Sequence, residues 1–422
     1  MNYQNNPEFA KSLDAKDKLK SYRQRFHFPK QKDGSQKLYF CGNSLGLEPK
    51  NTGDYIDEVI EDWRTYGVDG HTDAEYPWMP YHEFLAKPMA KIVGAKESEV
   101  IIMNTLSVNL HLMMVSFFRP TPKKRKILIE ADAFPSDLYG VQSQLKFHGL
   151  DPEKDLILWQ PDQDQYYNIS DFDQLIDAHK DEIALVLIGN TNYYTGQFFD
   201  MAHITQKCKL HDITVGFDLA HGVGNINPDL HQLGVDFAVW CTYKYLNSGP
   251  GSLGGCFVHE KHHSNKHIPR FEGWWGHNKT TRFNMRQAFD PINSAEAWQL
   301  SNPPILSMAA VRASLDVFDE AGFNNILEKS KKLTGYLEFL LNDLEDDNIK
   351  IITPKNPEER GCQLSIRFLD SDKSFFEKLT KAGVVADWRE PQVIRIAPAP
   401  LYNSYEDVFN FVKLLKHIRY AG

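Results

Sequence analysis

The sequence predicts an α/β protein: a mostly parallel sheet with helices on both faces, followed by a small α+β C-terminal domain. Three observations predict it. Several strand-length runs, such as 183–189 and 235–240, are apolar throughout instead of alternating, as parallel strands buried on both faces are. These runs alternate with helical patterns over residues 100–258, which implies crossover connections and a parallel sheet. Beyond residue 304 the pattern changes to long helices interspersed with a few strands, a separate and smaller unit.

The elements follow in order. Residues 1–30 read as one or two amphipathic helices. A short apolar strand at 38–41 breaks into Gly42-Asn43-Ser44-Leu45-Gly46, where glycine permits unusual backbone or a close approach. Residues 54–66 are helical, and His71 stands in the polar loop after them, a position where histidine is ordinarily solvated. A strand before Asn104 leads to a helix over 106–118. Asn104-Thr105-Leu106-Ser107 opens that helix, which fits either a phosphate at its N-terminus or capping by Thr105 or Ser107. Strand 126–130 runs into Ala133-Phe134-Pro135-Ser136-Asp137, the start of another helix; an aromatic there either packs in the core or stacks on a flat ring. A strand at 155–159, a helix at 170–181 capped by Ser170, and a strand at 183–189 come next. A helix over 199–211 leads to strands 213–217 and 235–240, then 254–258. Pro303 and Pro304 mark the boundary to the small domain, with helices at 305–318, 325–344, 373–382 and 405–418, the last capped by Ser404, and strands at 349–353, 362–368 and 393–397. The expected units are an N-terminal segment 1–48 packing with the small domain, a large domain 49–302 and a small domain 303–422.

Composition narrows the function. Of 422 residues, 42% are hydrophobic, enough for a sizeable core. A net charge of -9 argues against nucleic acid or an anionic membrane as partner. Five scattered cysteines provide neither a disulfide framework nor a CxxC motif, so a reducing, cytoplasmic setting is expected. The N-terminus is polar, and no run approaches ~18 apolar residues. Neither GxGxxG nor GxxxxGK[ST] occurs.

The chemistry gathers at two strand ends. Asp218 and His221 follow one apolar run, and Tyr243-Lys244 follow the next, where open α/β sheets carry their functional groups. An amine able to form a Schiff base and a carboxylate able to keep a pyridine nitrogen protonated are what pyridoxal phosphate requires. An arginine, Arg395, interrupts the apolar strand 393–397, as a carboxylate clamp or a structural ion pair. Trp274 and Trp275 lie between glycines in a loop, so they are expected to pack against a cofactor, a substrate or a partner chain.

Eight stretches in one order then resemble the fold-type-I pyridoxal-phosphate enzymes and, within them, the kynureninases. They are 40–46, 134–137, 194–197, 218–221, 243–247, 273–277, 301–304 and 395–398. The resemblance implies that Lys244 holds the cofactor and Asp218 pairs with its ring nitrogen, with His221 beside it. It places Phe134, in the stretch Phe134-Pro135-Ser136-Asp137, on the ring, Asp137 close to it, and Leu106, Ser107 and Tyr243 along the phosphate. Trp274 and Asn302 reach the cofactor of the other subunit of a homodimer. Arg395 clamps the substrate carboxylate, and His71, with Asn302, lies near its aryl end. The family often carries a small hydroxyl residue where this chain has Gly189. The implied reaction is hydrolysis of L-kynurenine, or its 3-hydroxy form, to anthranilate (3-hydroxyanthranilate) and L-alanine in tryptophan catabolism. Lys244, Asp218 and Tyr243 are its expected catalytic residues, with Tyr243 as proton donor.

Two rivals are open at this stage. A cysteine desulfurase or class-V aminotransferase shares the fold, but a desulfurase needs a mobile thiolate, and Cys362 alternates in phase with Leu364, Ile366 and Phe368, on the inner face of a strand. A non-catalytic metal- or partner-binding protein would use the histidines of residues 259–267, which are interleaved with lysines as in a solvated loop. No metal is expected.

Overall fold

The structure is a computed structural model and describes residues 2–284 and 288–420. Seven strands form the central sheet, in the spatial order Val100–Met103, Gly254–Val258, Phe237–Cys241, Thr214–Asp218, Ile183–Gly189, Lys126–Glu130 and Leu156–Trp159. Gly254–Val258 runs antiparallel to both neighbours; the other adjacent pairs are parallel. The uniformly apolar runs are explained by burial on both sides. Along Ile183–Gly189, Val186 and Ile188 enter the core on one face, Leu185 and Leu187 the core on the other. The parallel connections are helical and return each chain segment to the same sheet end. Asp218, Gly189 and Glu130 therefore finish three neighbouring strands at one edge.

The small C-terminal domain is built on a four-stranded antiparallel sheet, in the order Asp387–Arg389, Val393–Ile396, Leu364–Phe368, Ile349–Ile351. Helices Phe323–Asn342, Lys373–Lys381 and Tyr405–Tyr420 cover it, and Leu337, Ile366 and Phe411 share its core. The N-terminal segment is tied to this unit. Leu38–Tyr39 pairs in parallel with Val384–Val385, and Cys41 bridges to Ala397. The Asp14 carboxylate accepts the N–H groups of Tyr405 and Glu406 at 2.8 and 3.0 Å, filling orphan donors at the start of the last helix. Ser404 and Asp407 complete that end as a reciprocal cap, each side chain accepting the other's N–H at 3.0 Å.

One predicted cap moves. The helix expected at 170–181 spans Ile169–His179, which places Ser170 inside its first turn with Asn168 at the N-cap. Ile169 packs against the main core, and that contact draws the helix start one residue earlier. All five cysteines are free. Among the described residues, no helix is long and apolar enough to cross a membrane.

Candidate active site

The cleft lies at the carboxyl edge of the parallel strands. In register, Asp218 stands beside Gly189 on one side and Val239 on the other. Glu130 ends the next strand but one, and its carboxylate accepts the Gly189 N–H at 3.0 Å. Lys244 sits in the turn after Phe237–Cys241, with Nζ 6.0 Å from the centre of the Phe134 ring. Phe134 caps helix Pro135–Phe147, which delivers Ser136 and Asp137 to the same wall. Tyr193 meets Phe134 edge-on, ring centres 5.4 Å apart.

Three buried carboxyls line the cleft together with one amine. Burial, then the charge of Asp218 facing it, push the Asp137 carboxyl well above the usual range. Asp218 is raised too, by burial; a hydrogen bond from Asp137, the Lys244 charge and the Ala220 N–H at 2.6 Å pull the other way. Two carboxyls this close share a proton, because both cannot ionise together. Burial pushes Glu130 up to about 8. The surplus of acid suits a cationic ring nitrogen. His221, almost fully buried, has its pKa held well below the ordinary value by burial and by Lys244, Arg395 and Arg389, so its imidazole is neutral.

The other end of the cleft suits an anion. Helix Leu106–Phe117 begins at Thr105, which makes no side-chain cap, so the first-turn N–H groups are left for a ligand. The start of Pro135–Phe147 is likewise uncapped by a side chain. The hydroxyls of Ser107 and Ser136, one from each helix, lie 2.9 Å apart. Two helix N-termini with two hydroxyls between them fit a phosphate.

The turn at 42–46 braces the lysine loop from behind. The Gly46 N–H donates to the Tyr243 carbonyl at 2.9 Å. A Cβ on Gly46 would stand 2.4 Å from the Lys244 carbonyl oxygen and 2.1 Å from Asn247 Oδ1, so this glycine serves a close approach. Asn43 donates to Gln363 at 2.9 Å, and Gln363 donates to the Tyr193 carbonyl at 3.1 Å, which links the turn, the small domain and the cleft.

The structure brings together Leu106, Ser107, Phe134, Ser136, Asp137, Asp218, His221, Tyr243 and Lys244 on one wall, with Pro135 opening the helix behind. Arg395 is buried nearby, paired with Asp387 and donating to the Tyr193 carbonyl at 2.6 Å. His71 lies outside the cleft lining, bonded to the Val68 carbonyl at 2.9 Å and edge-on to Trp78. Trp274 is 47% exposed while Trp275 is buried under Arg282, and Asn302 is exposed in its turn. Of the histidine-rich loop, His262 pairs with Asp236 and His263 with the Val258 carbonyl, both at 2.9 Å. His259 joins His231 around buried Glu99, whose oxygens already accept the N–H groups of Lys96 and Glu260 at 2.9 Å.

Residues 326–415 match the kynureninase C-terminal domain family. The chain is 52% identical to the kynureninase of Myxococcus xanthus over 98% of its own length and 97% of that protein's. It is also 52% identical to the kynureninase of Flavobacterium psychrophilum, over 99% of each. The chain belongs to the kynureninase family. Among solved structures, a cysteine desulfurase from Thermococcus onnurineus superposes with a TM-score of 0.74 at 17% identity, over 99% of both chains, a likeness of fold. Another structure of TM-score 0.74, 16% identical and matched over 90% of this chain and 96% of its own, carries glycine covalently linked to its pyridoxal-phosphate cofactor.

In this member of the kynureninase family the donor set fits pyridoxal phosphate: an amine, paired acids for a ring cation, a phosphate cradle and an aromatic face. Three cleft residues escape a reading of the sequence: Glu130, Thr191 and Tyr193. An acid ending an apolar strand was the one visible signal for Glu130; the other two lie in a turn whose course depends on pairing with distant segments.

Proposed function

We propose that this chain binds pyridoxal 5'-phosphate and hydrolyses the β–γ carbon–carbon bond of L-kynurenine and 3-hydroxy-L-kynurenine, giving anthranilate or 3-hydroxyanthranilate and L-alanine. The observation that carries the reading is the convergence of Lys244 with the Asp137–Asp218 pair, in a chain that aligns end to end with kynureninases. The bound cofactor supplies an electron sink for the charge left when the substrate α-proton is removed. Lys244 anchors the cofactor and, once the substrate amine has displaced it, takes that proton. Asp218, hydrogen-bonded to Asp137, keeps the ring nitrogen protonated, and neutral His221 lies beside it without adding a competing charge. Leu106, Ser107, Ser136 and the two helix starts hold the phosphate, and Phe134 covers the ring. Arg395 engages the substrate carboxylate. Water adds to the γ-carbonyl and the β–γ bond breaks, with Cγ leaving as the aryl carboxylic acid; Tyr243, its pKa raised first by burial, keeps its proton at neutral pH and delivers it to Cβ.

The same proposal includes a homodimer in the cytoplasm, serving tryptophan catabolism and the supply of precursors for NAD. Exposed Trp274 and Phe283 meet edge-on, ring centres 5.3 Å apart, an aromatic patch of the kind that seeks a partner. In it, Trp274 and Asn302 reach the cofactor of a second copy and His71, with Asn302, contacts the aryl end of the substrate. The division at 1–48, 49–302 and 303–422 belongs to this reading, supported by the pairing of Leu38–Tyr39 with Val384–Val385.

A desulfurase is disfavoured by its thiol. Cys362 is buried, and burial pushes its pKa up to about 12, so no reactive thiolate forms there. The deciding experiment is steady-state turnover of both kynurenines by the purified protein, followed by anthranilate or 3-hydroxyanthranilate release, alongside its cofactor content. Release of the aryl acid together with L-alanine is expected. A coloured protein that releases neither, or that forms persulfide from cysteine, overturns the reading.

A further inference from the structure

Gly189 leaves a gap in the ring-side wall that two other residues close. A Cβ at position 189 would stand 2.9 Å from Glu130 Oε1, so the Glu130 carboxyl occupies the room a side chain there would take. Glu130 is held in place by the Gly189 N–H. Two residues on, Thr191 lines the same cleft. It is only 7% exposed, and its hydroxyl is buried with no hydrogen-bond partner among the described residues.

An orphaned buried hydroxyl is costly, and one at the wall of a cleft is stabilised by an acceptor on a ligand bound there. The two serine hydroxyls on this wall, Ser107 and Ser136, are engaged with each other. The Thr191 backbone is fixed by an antiparallel bridge to Phe198. The Asn192 side chain then accepts the N–H groups of Tyr194 and Thr195 at 3.0 and 2.9 Å, which sets the turn that follows. The hydroxyl is therefore held on rigid backbone at the wall shared with Asp218 and Gly189.

We propose that Thr191 is a further cofactor-binding residue, its Oγ1 donating a hydrogen bond to an oxygen acceptor on the ring bound beside Asp218. This inference rests on the pyridoxal-phosphate reading above. The charge balance of the wall favours it: the Asp137–Asp218 pair serves the cationic ring nitrogen, while the ring's phenolic oxygen requires a donor.

The experiment titrates pyridoxal 5'-phosphate into apoprotein of the parent, Thr191→Val and Thr191→Ser, reading the visible absorbance band and its pH midpoint. Thr191→Val keeps the shape and removes the donor. It is expected to weaken cofactor binding about tenfold, the usual worth of one hydrogen bond into a buried site, and to move the pH midpoint of the band. Thr191→Ser is expected to stay within about twofold of the parent, and the melting temperature of Thr191→Val apoprotein to be no lower than the parent's. If Thr191→Val does not fold, Thr191→Ala against Thr191→Ser decides by the same readouts. A parent that takes up no cofactor overturns the pyridoxal-phosphate reading and this inference with it. A parent that binds while the valine variant, or in its place the alanine variant, binds equally well overturns the inference alone, as does equal loss in the serine variant.

Discussion

The N–H of Gly46 donates to the carbonyl of Tyr243 at 2.9 Å, so the N-terminal turn rests on the loop that carries Lys244. A methyl group at 46 meets the Lys244 carbonyl and Asn247 at distances no real Cβ keeps. Gly46→Ala is expected to destabilise the fold by about 1–3 kcal/mol, the ordinary cost of overpacking, and to weaken cofactor uptake as the loop shifts. Denaturant melts and a cofactor titration check it; an unchanged midpoint with unchanged affinity would show the turn yielding freely.

Lys244 provides the cation facing Asp137 and Asp218. Lys244→Ala is expected to abolish turnover and covalent attachment of the cofactor together, leaving any bound cofactor removable by gel filtration. Removing the amine also takes away a charge that holds Asp137 and Asp218 down, so both titrate higher. Full activity in this variant would falsify the assignment of Lys244.

Much of this site was legible because strand ends are local. Lys126–Glu130, Ile183–Gly189 and Gly254–Val258 coincide with the runs read from the sequence, as apolar stretches bounded by turns must. The carboxyl-edge rule then located Asp218 and Lys244. What escaped is non-local. Val384–Val385 and Asp387–Arg389 are only two and three residues long, too short for periodicity to mark them, and they are strands because Leu38–Tyr39 and Val393–Ile396 pair with them. Glu130 becomes an unusual acid only when Gly189 and Asp218, far along the chain, pack beside it. His71, Trp274 and Asn302 lie outside the residues that line the cleft.

Glu130 makes the apoprotein pH-sensitive. Its pKa is raised from 4.5 to about 8 in the fold, by burial first. Below pH 4.5 the carboxyl is protonated in both states. Between there and about 8 the unfolded chain gives up the proton and the native state keeps it, so stability falls as pH rises. The slope is at most about 1.4 kcal/mol per pH unit. Glu130→Gln removes this contribution. Its melting temperature is expected to fall less than the parent's between pH 5 and 8, measured on apoprotein of both. Parallel curves would show Glu130 ionised throughout.

Arg395 is an ion-pair partner in this structure, and the proposed function makes it the clamp for the substrate carboxylate. Its guanidinium is buried against Asp387 and the Tyr193 carbonyl, and Nε has no partner among the described residues. Truncating it strands the Asp387 carboxylate, so loss of activity in Arg395→Ala would not separate a clamp from a brace. Arg395→Lys keeps the charge and removes the planar fork that grips a carboxylate by two parallel bonds. A clamp predicts that KM rises about tenfold or more while kcat changes little and the melting temperature stays within a few degrees. A brace predicts the reverse, a lower melting temperature with KM unchanged. Asp387→Asn completes the comparison: with the competing carboxylate neutralised, the arginine is freer to engage substrate, and KM is expected to fall or hold, whereas a purely structural pair would show both variants losing stability alike.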